Sequence, residues 1–217
     1  MSASAADGFR EPDWDALYRN QTPPWETGAP SGELVRLVQE KTLRPCRVLE
    51  LGCGTGANAV FLARRGFEVT AVDASPTAIE RARTRAERSA AVLRLVLDDV
   101  FAFCKTAGQF DLVLDAGFYH FIRRVDLAAF LDLLWRATSP GSLYLTLAGA
   151  VGEIAPGGPP QVSEEDIRCE LGRLFEFVHL RPFRFDSSAR EEGYLGWSCL
   201  LRRPVVGKPI PLAHRGE

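Results

Sequence analysis

The sequence predicts an α/β fold: a doubly wound, mostly parallel seven-stranded sheet finished by a C-terminal antiparallel hairpin. Two observations carry this expectation. Short apolar runs alternate with amphipathic helical patterns as far as Leu147, the rhythm of parallel strands joined by right-handed helical crossovers. The last two strand signals, Phe177 to Phe185 and Tyr194 to Leu201, are joined by a polar loop with no helix pattern, so they should pair antiparallel. The chain has 217 residues, 46% of them apolar and 25% charged, enough for one domain with a real core.

The elements follow in order. Asp13 caps a short helix to Tyr18. Residues 21–32 hold three prolines, two glycines and Trp25, a loop in which a tryptophan needs cover. Ser31 is placed to cap a helix from Glu33 to Lys41, with Leu34, Leu37 and Val38 on one face. Arg47 to Leu51 is strand one, and Ala57 to Arg65 a helix that Gly66 ends. Glu68 to Val72 is strand two. Ser75 caps, and Pro76 opens, a helix to Arg88. Val92 to Leu97 and Phe110 to Leu114 are strands three and four. A helix from Leu127 to Ala137 stops at Ser139-Pro140-Gly141, and Ser142 to Leu147 is strand five. A helix from Glu164 to Leu174 precedes the hairpin. Residues 1–12 are expected to be disordered and residues 204–217 to form a tail without assigned function, leaving 13–203 as the domain.

Charge and composition narrow the partners. With 26 basic and 28 acidic side chains the formal charge is -2, which offers no broad positive field for nucleic acid. No apolar run reaches about 18 residues, so no membrane span is expected. The N-terminus lacks the basic and apolar regions of a secretory signal. Cys46, Cys53, Cys104, Cys169 and Cys199 are odd in number and lack CxxC spacing, which reads as reduced thiols with no disulfide framework and no metal site. A cytoplasmic, monomeric protein acting on a small molecule is the expectation.

The chemistry concentrates at Glu50-Leu51-Gly52-Cys53-Gly54-Thr55-Gly56-Ala57-Asn58. In a doubly wound sheet, ligands bind at the carboxyl ends of the strands, where strand order reverses. Gly52, Gly54 and Gly56 remove the Cβ atoms that would keep a ligand off the backbone. The spacing alone also suits a dinucleotide. Glu50 tips the balance, because an acid there repels a pyrophosphate and attracts the ammonium of a methionine moiety. Asp73, at the end of strand two, suits both ribose hydroxyls. Asp98-Asp99-Val100-Phe101 follows strand three. There an acid, for which Asp99 is favoured, can accept from an adenine amino group while an apolar neighbour covers the ring.

On these residues the sequence resembles the class I S-adenosylmethionine-dependent methyltransferases, with a Rossmann-like fold, over roughly Asp13 to Arg202. Trp14-Asp15-x-x-Tyr18, Pro24-Trp25-Glu26-Thr27-Gly28 and Phe110-Asp111-Leu112-Val113-Leu114-Asp115 with Phe118-Tyr119 resemble the thiopurine, thiol and halide branch. The resemblance implies a lid in residues 13–42 that folds Trp25 and Trp14 over the cofactor, and Asp115 near the cofactor's methionine end. The expected cofactor set is Trp14, Trp25, Glu50, Gly52, Cys53, Gly54, Gly56, Asn58, Asp73, Ala74, Asp99, Val100 and Asp115. Two positions depart from the branch: Tyr18 stands where a tryptophan is common, and Ala116 where the thiopurine enzymes carry arginine. The acceptor pocket is expected after strand four, with Asp115, Tyr119 and His120 as catalytic candidates and Phe118 and Arg123 beside them. His120 is the histidine nearest that edge, since His179 lies in the hairpin and His214 in the tail. The implied activity is methyl transfer to a small molecule, with a thiol, halide or chalcogen as the expected acceptor. The rivals are a regulatory cofactor-binding protein, a nicotinamide-dependent oxidoreductase, and a methyltransferase acting on RNA or protein.

Overall fold

A computed structural model describes residues 12–20, 22–153 and 158–205. The expectations for residues 1–11 and 206–217 lie outside the described residues. The strands are β1 (Arg47–Leu51), β2 (Glu68–Asp73), β3 (Arg94–Leu97), β4 (Phe110–Ala116), β5 (Thr138–Ala150), β6 (Gln161–Val162), β7 (Glu176–Phe185) and β8 (Tyr194–Arg202). They form one sheet in the order β3-β2-β1-β4-β5-β8-β7, with β6 beside β5. β8 runs antiparallel to both β5 and β7; the other pairs are parallel. The hairpin therefore inserts its second strand into the sheet and leaves β7 at the edge. The two-residue β6 is the eighth strand, which the sequence did not signal.

The helices are α1 (Trp14–Asn20), α2 (Gly32–Gln39), α3 (Ala57–Ala63), α4 (Pro76–Arg88), α5 (Val100–Cys104), α6 (Tyr119–Ala137) and α7 (Glu164–Leu171). Side chains alternate across a strand, so the sheet has two apolar faces. Val48, Val69, Leu112 and Leu114 pack with Leu34 and Leu37 of α2, Leu62 of α3 and Ile79 of α4. Leu49, Leu51 and Val113 pack with Phe103 of α5, Phe130 of α6 and Ile167 of α7. This parity decides the site: Glu50 and Asp73 belong to the first face, Asp115 to the second.

The expected caps hold at Asp13, whose Oδ1 accepts from the Ala16 amide at 2.9 Å, and at Ser75, whose hydroxyl accepts from the Ala78 amide at 3.0 Å. Ser31 departs from expectation. Its side chain caps nothing, and its amide instead donates to Asn58 Oδ1 at 2.9 Å. The third strand starts at Arg94, because Val92 is 91% exposed and covers no core. The helix expected from Leu127 begins eight residues earlier, at Tyr119, and is kinked at Asp126. The Asp126 carboxylate accepts from the Ala129 amide at 2.8 Å, so it starts the second segment as a cap.

Candidate active site

The glycine loop joins β1 to α3, beside the ends of β2 and β4. Gly54 has φ +53°, a left-handed conformation that costs any other residue. A Cβ there would lie 2.7 Å from the Tyr18 hydroxyl oxygen, so the position is closed to larger residues by contact as well. The Gly54 amide donates to Asp73 Oδ2 at 2.8 Å, and the Ser75 amide to Asp73 Oδ1 at 2.9 Å. These bonds fix the Asp73 carboxylate under the loop while each oxygen keeps a further lone pair. Burial raises its pKa.

Glu50 is 2% exposed. Its Oε1 accepts from the Asn58 side-chain Nδ2 at 3.2 Å, and its Oε2 has no hydrogen-bond partner among the described residues. Burial drives its pKa up to about 8, and the Asp73 and Asp115 carboxylates add to the shift. A buried, unpartnered carboxylate oxygen is costly unless a cation or donor arrives to meet it. A ligand ammonium fits that demand and a pyrophosphate does not.

The N-terminal segment covers the loop with aromatic rings. Trp14 meets Phe121 edge-on at 4.8 Å between centroids and Trp25 at 6.3 Å. Trp25 Nε1–H donates to the Tyr18 hydroxyl at 3.2 Å, and Phe118 lies against Gly52. Tyr18 thus takes a covering place expected only of the two tryptophans. Trp25 itself is 50% exposed. Asp15 holds this cap from the other side, accepting from Ser75 Oγ at 2.7 Å and from the Thr77 amide at 2.9 Å. These partners lie about sixty residues away in sequence, beyond any local signal.

Other expected cofactor residues are placed as follows. Cys53 is buried inside the loop, and Ala74 is exposed between Asp73 and Ser75. Asp99 caps α5, accepting from the Ala102 amide at 2.9 Å, and its side chain is exposed. Val100 does not stand open to cover a ring; it is buried in the cluster around Leu49 and Val72. The five-residue α5 was not expected, since it is too short for a periodic pattern.

The three candidates after strand four are held as follows. Asp115 is fully buried on the α6 face. Its Oδ1 accepts from the amides of Phe118 (3.1 Å) and Tyr119 (3.0 Å) and from Thr146 Oγ1 (3.2 Å); its Oδ2 accepts from the Tyr144 hydroxyl (2.6 Å). It anchors the start of α6 and offers no open face to a ligand. Burial still outweighs these donors and lifts its pKa to about 6. Tyr119 is likewise enclosed, donating its hydroxyl to Glu170 of α7 at 2.7 Å. Arg123, one helical turn on, pairs with both oxygens of that Glu170, so it is not free to hold an anionic acceptor.

His120 remains at the edge, 7% exposed and packed over Gly117. The Gly149 amide donates to its Nδ1 at 2.9 Å. That bond puts the ring proton on Nε2, where nothing among the described residues accepts it. Burial lowers the pKa to about 4, so the ring is neutral near pH 7 and presents a donor.

Comparison with known proteins decides the family. Residues 48–141 match a family described as "Methyltransferase domain". The chain is 30% identical over 181 residues to 2-heptyl-1-hydroxyquinolin-4(1H)-one methyltransferase of Mycobacteroides abscessus, covering 79% of each protein. This chain belongs to the class I S-adenosylmethionine-dependent methyltransferases. The methyltransferase is also 28% identical to probable thiol methyltransferase 2 of Arabidopsis thaliana, over 83% of this chain and 78% of the relative. A solved structure described as "Conversion of a Disulfide Bond into a Thioacetal Group during Echinomycin Biosynthesis" superposes with a TM-score of 0.77 at 25% identity, covering 89% of this chain and 92% of that one. The cofactor is S-adenosylmethionine, and the nicotinamide alternative falls. Among the described residues no helix of the methyltransferase is long and apolar enough to cross a membrane.

Proposed function

We propose that this methyltransferase alkylates a small molecule whose acceptor atom is already anionic, or nearly so, when it binds. A thiolate, a halide, a chalcogen anion or an acidic hydroxylamine-type oxygen would serve. The state of His120 carries the reading: its Nδ1 is taken by a backbone amide and its Nε2 holds the proton. Asp115 and Tyr119 are enclosed by their own partners. None of these three side chains is poised to take a proton from the acceptor. The relatives named for a 1-hydroxyquinolone and for thiols support the reading, since N–OH and S–H groups lose protons more readily than alcohols.

Bound S-adenosylmethionine supplies a methyl group already activated on a sulfonium. The residues of this chain then need to hold, align and dehydrate. Glu50 Oε2 would receive the ammonium and Asp73 the ribose hydroxyls. Asp99, exposed at the start of α5, would accept from the adenine amino group. Trp14, Tyr18 and Trp25 exclude water, and the His120 Nε2–H steadies the incoming anion. Orientation of this kind is worth several kcal/mol, about 7–11 at the extreme.

Two results are expected. His120→Ala should lower kcat/KM roughly tenfold, the worth of one donor hydrogen bond, and leave the shape of the pH profile between 6 and 9 as in the parent. Loss of a titrating limb in that range would instead make His120 a base and end this reading. Trp25→Ala should raise the cofactor dissociation constant several-fold, on the order of 1 kcal/mol for a half-exposed ring, read by calorimetry. An unchanged constant in folded protein would remove Trp25 from the site. The acceptor is identified by offering labelled cofactor with a panel of thiols, halides, chalcogen oxyanions, N-hydroxy heterocycles and alcohols. Methylation of the alcohols alone would refute the proposal.

A further inference from the structure

Arg85 of α4 lies outside every group considered so far, yet it makes a dense set of bonds between the cap and the glycine loop. Its Nε donates to the Thr55 carbonyl at 2.9 Å, and one terminal nitrogen donates to the Gly28 carbonyl at 2.6 Å. The other terminal nitrogen donates to Thr55 Oγ1 at 3.0 Å and to Glu26 Oε1 at 3.3 Å. Thr55 in turn donates its hydroxyl to Glu26 Oε2. Four residues before Arg85 on the same helix, Arg81 donates to the Tyr18 carbonyl at 2.6 Å. The i, i+4 spacing sets both guanidinium groups on one face, so α4 grips the cap at two backbone carbonyls.

The placement has a kinetic meaning. Thr55 sits between Gly54 and Gly56, while Glu26 adjoins Trp25. Trp25 bonds to Tyr18, whose hydroxyl lies against Gly54. A ligand reaching the loop backbone at Gly54 must first displace this cap. Displacement breaks the Arg85 bonds to Gly28 and Glu26 and the bond from Thr55 to Glu26. The Arg85–Glu26 pair is largely shielded, with side-chain exposures of 26% and 14%, so it is stronger than a surface pair.

We infer that Arg85 is a positioning residue that fastens the cap over the glycine loop and thereby sets the rate of cofactor exchange. It touches neither the transferred methyl nor the acceptor. A fastener that weakens the closed state differs in its kinetics from a residue that simply contacts the cofactor. Its loss speeds entry as well as exit, because both pass through the open cap.

The test uses cofactor alone, so its outcome is independent of the acceptor proposed above. Binding of S-adenosylmethionine and release of S-adenosylhomocysteine are followed by stopped-flow tryptophan fluorescence in the parent, Arg85→Ala, Arg85→Lys and, as a control on the same helix, Arg88→Ala. Arg85→Ala should raise both association and release rates at least fivefold. Arg85→Lys, which keeps the charge and loses the fork, should fall between, and Arg88→Ala should match the parent. Melting of each cofactor-free variant is recorded alongside. Rates within twofold of the parent overturn the proposal. So does an equal change in Arg88→Ala, or faster release with unchanged or slower association. If Arg85→Ala fails to fold, Arg85→Lys alone decides by the same two rates.

Discussion

Replacing Glu50 by Gln is expected to weaken cofactor binding about a hundredfold, the scale of a lost buried charge pair, while stabilising the cofactor-free protein at pH 8. The two effects have one cause. In the cofactor-free protein the Glu50 carboxyl is buried with one oxygen unpartnered, and its pKa stands at about 8. An unfolded chain sheds that proton near the ordinary glutamate value, about 4.3. Between these two values the folded state holds a proton that the unfolded state has lost, so stability falls as pH rises across the window. Gln carries no charge to bury and removes this decline, a gain on the order of 1–3 kcal/mol at pH 8. Binding follows the opposite course. An ammonium needs the carboxylate, so parental affinity rises up to about tenfold per pH unit on the approach to pH 8 and then levels. Glu50→Gln should abolish that slope. Urea melts and calorimetry at pH 5.5 and pH 8 read both quantities; a variant that keeps parental affinity would remove Glu50 from the site.

Asp115→Ala is expected to be the most destabilising single change discussed, at least ~3 kcal/mol. It strips the acceptor from two amides and two hydroxyls in a fully buried place. Such a loss is a large part of the roughly 5–15 kcal/mol that holds a domain together. Asp115→Asn should be milder, near ~1 kcal/mol, because the remaining oxygen can serve the amides and the Tyr144 hydroxyl can turn to accept. Urea unfolding measures both. A near-neutral Asp115→Ala would mean the four donors find other partners.

These two carboxylates show what the sequence could and could not tell. The candidacy of Glu50 was readable because its type, the glycines behind it and the end of a strand coincide within five residues. That one of its oxygens lacks a partner was not readable, since Asn58 and the overlying chain settle it. The enclosure of Asp115 was not readable for a definite reason. Its face follows from strand parity, and parity points to α6 only once α6 is known to begin at Tyr119. A helix taken to start at Leu127 left residues 119–123 without faces. Tyr119 and Arg123, one turn apart, then looked like pocket residues when both turn to Glu170. Ser75-Pro76 was legible because a cap is local chemistry. Arg85 was not, because its partners lie 30 to 59 residues away.

The β7–β8 hairpin reaches back to the beginning of the chain. The Ser188 amide donates to the Pro24 carbonyl at 3.1 Å, and Asp186 accepts from the Gly32 amide at 3.0 Å. The segment at Pro24 and Gly32 therefore waits during synthesis for residues some 154 positions later in sequence to give it a seat. During synthesis β1 to β5 can assemble early, yet the roof over the donor site is finished only when residues 186–202 have emerged and β8 has slid between β5 and β7. Until then Pro24 and Gly32 lack the partners that hold them at Ser188 and Asp186.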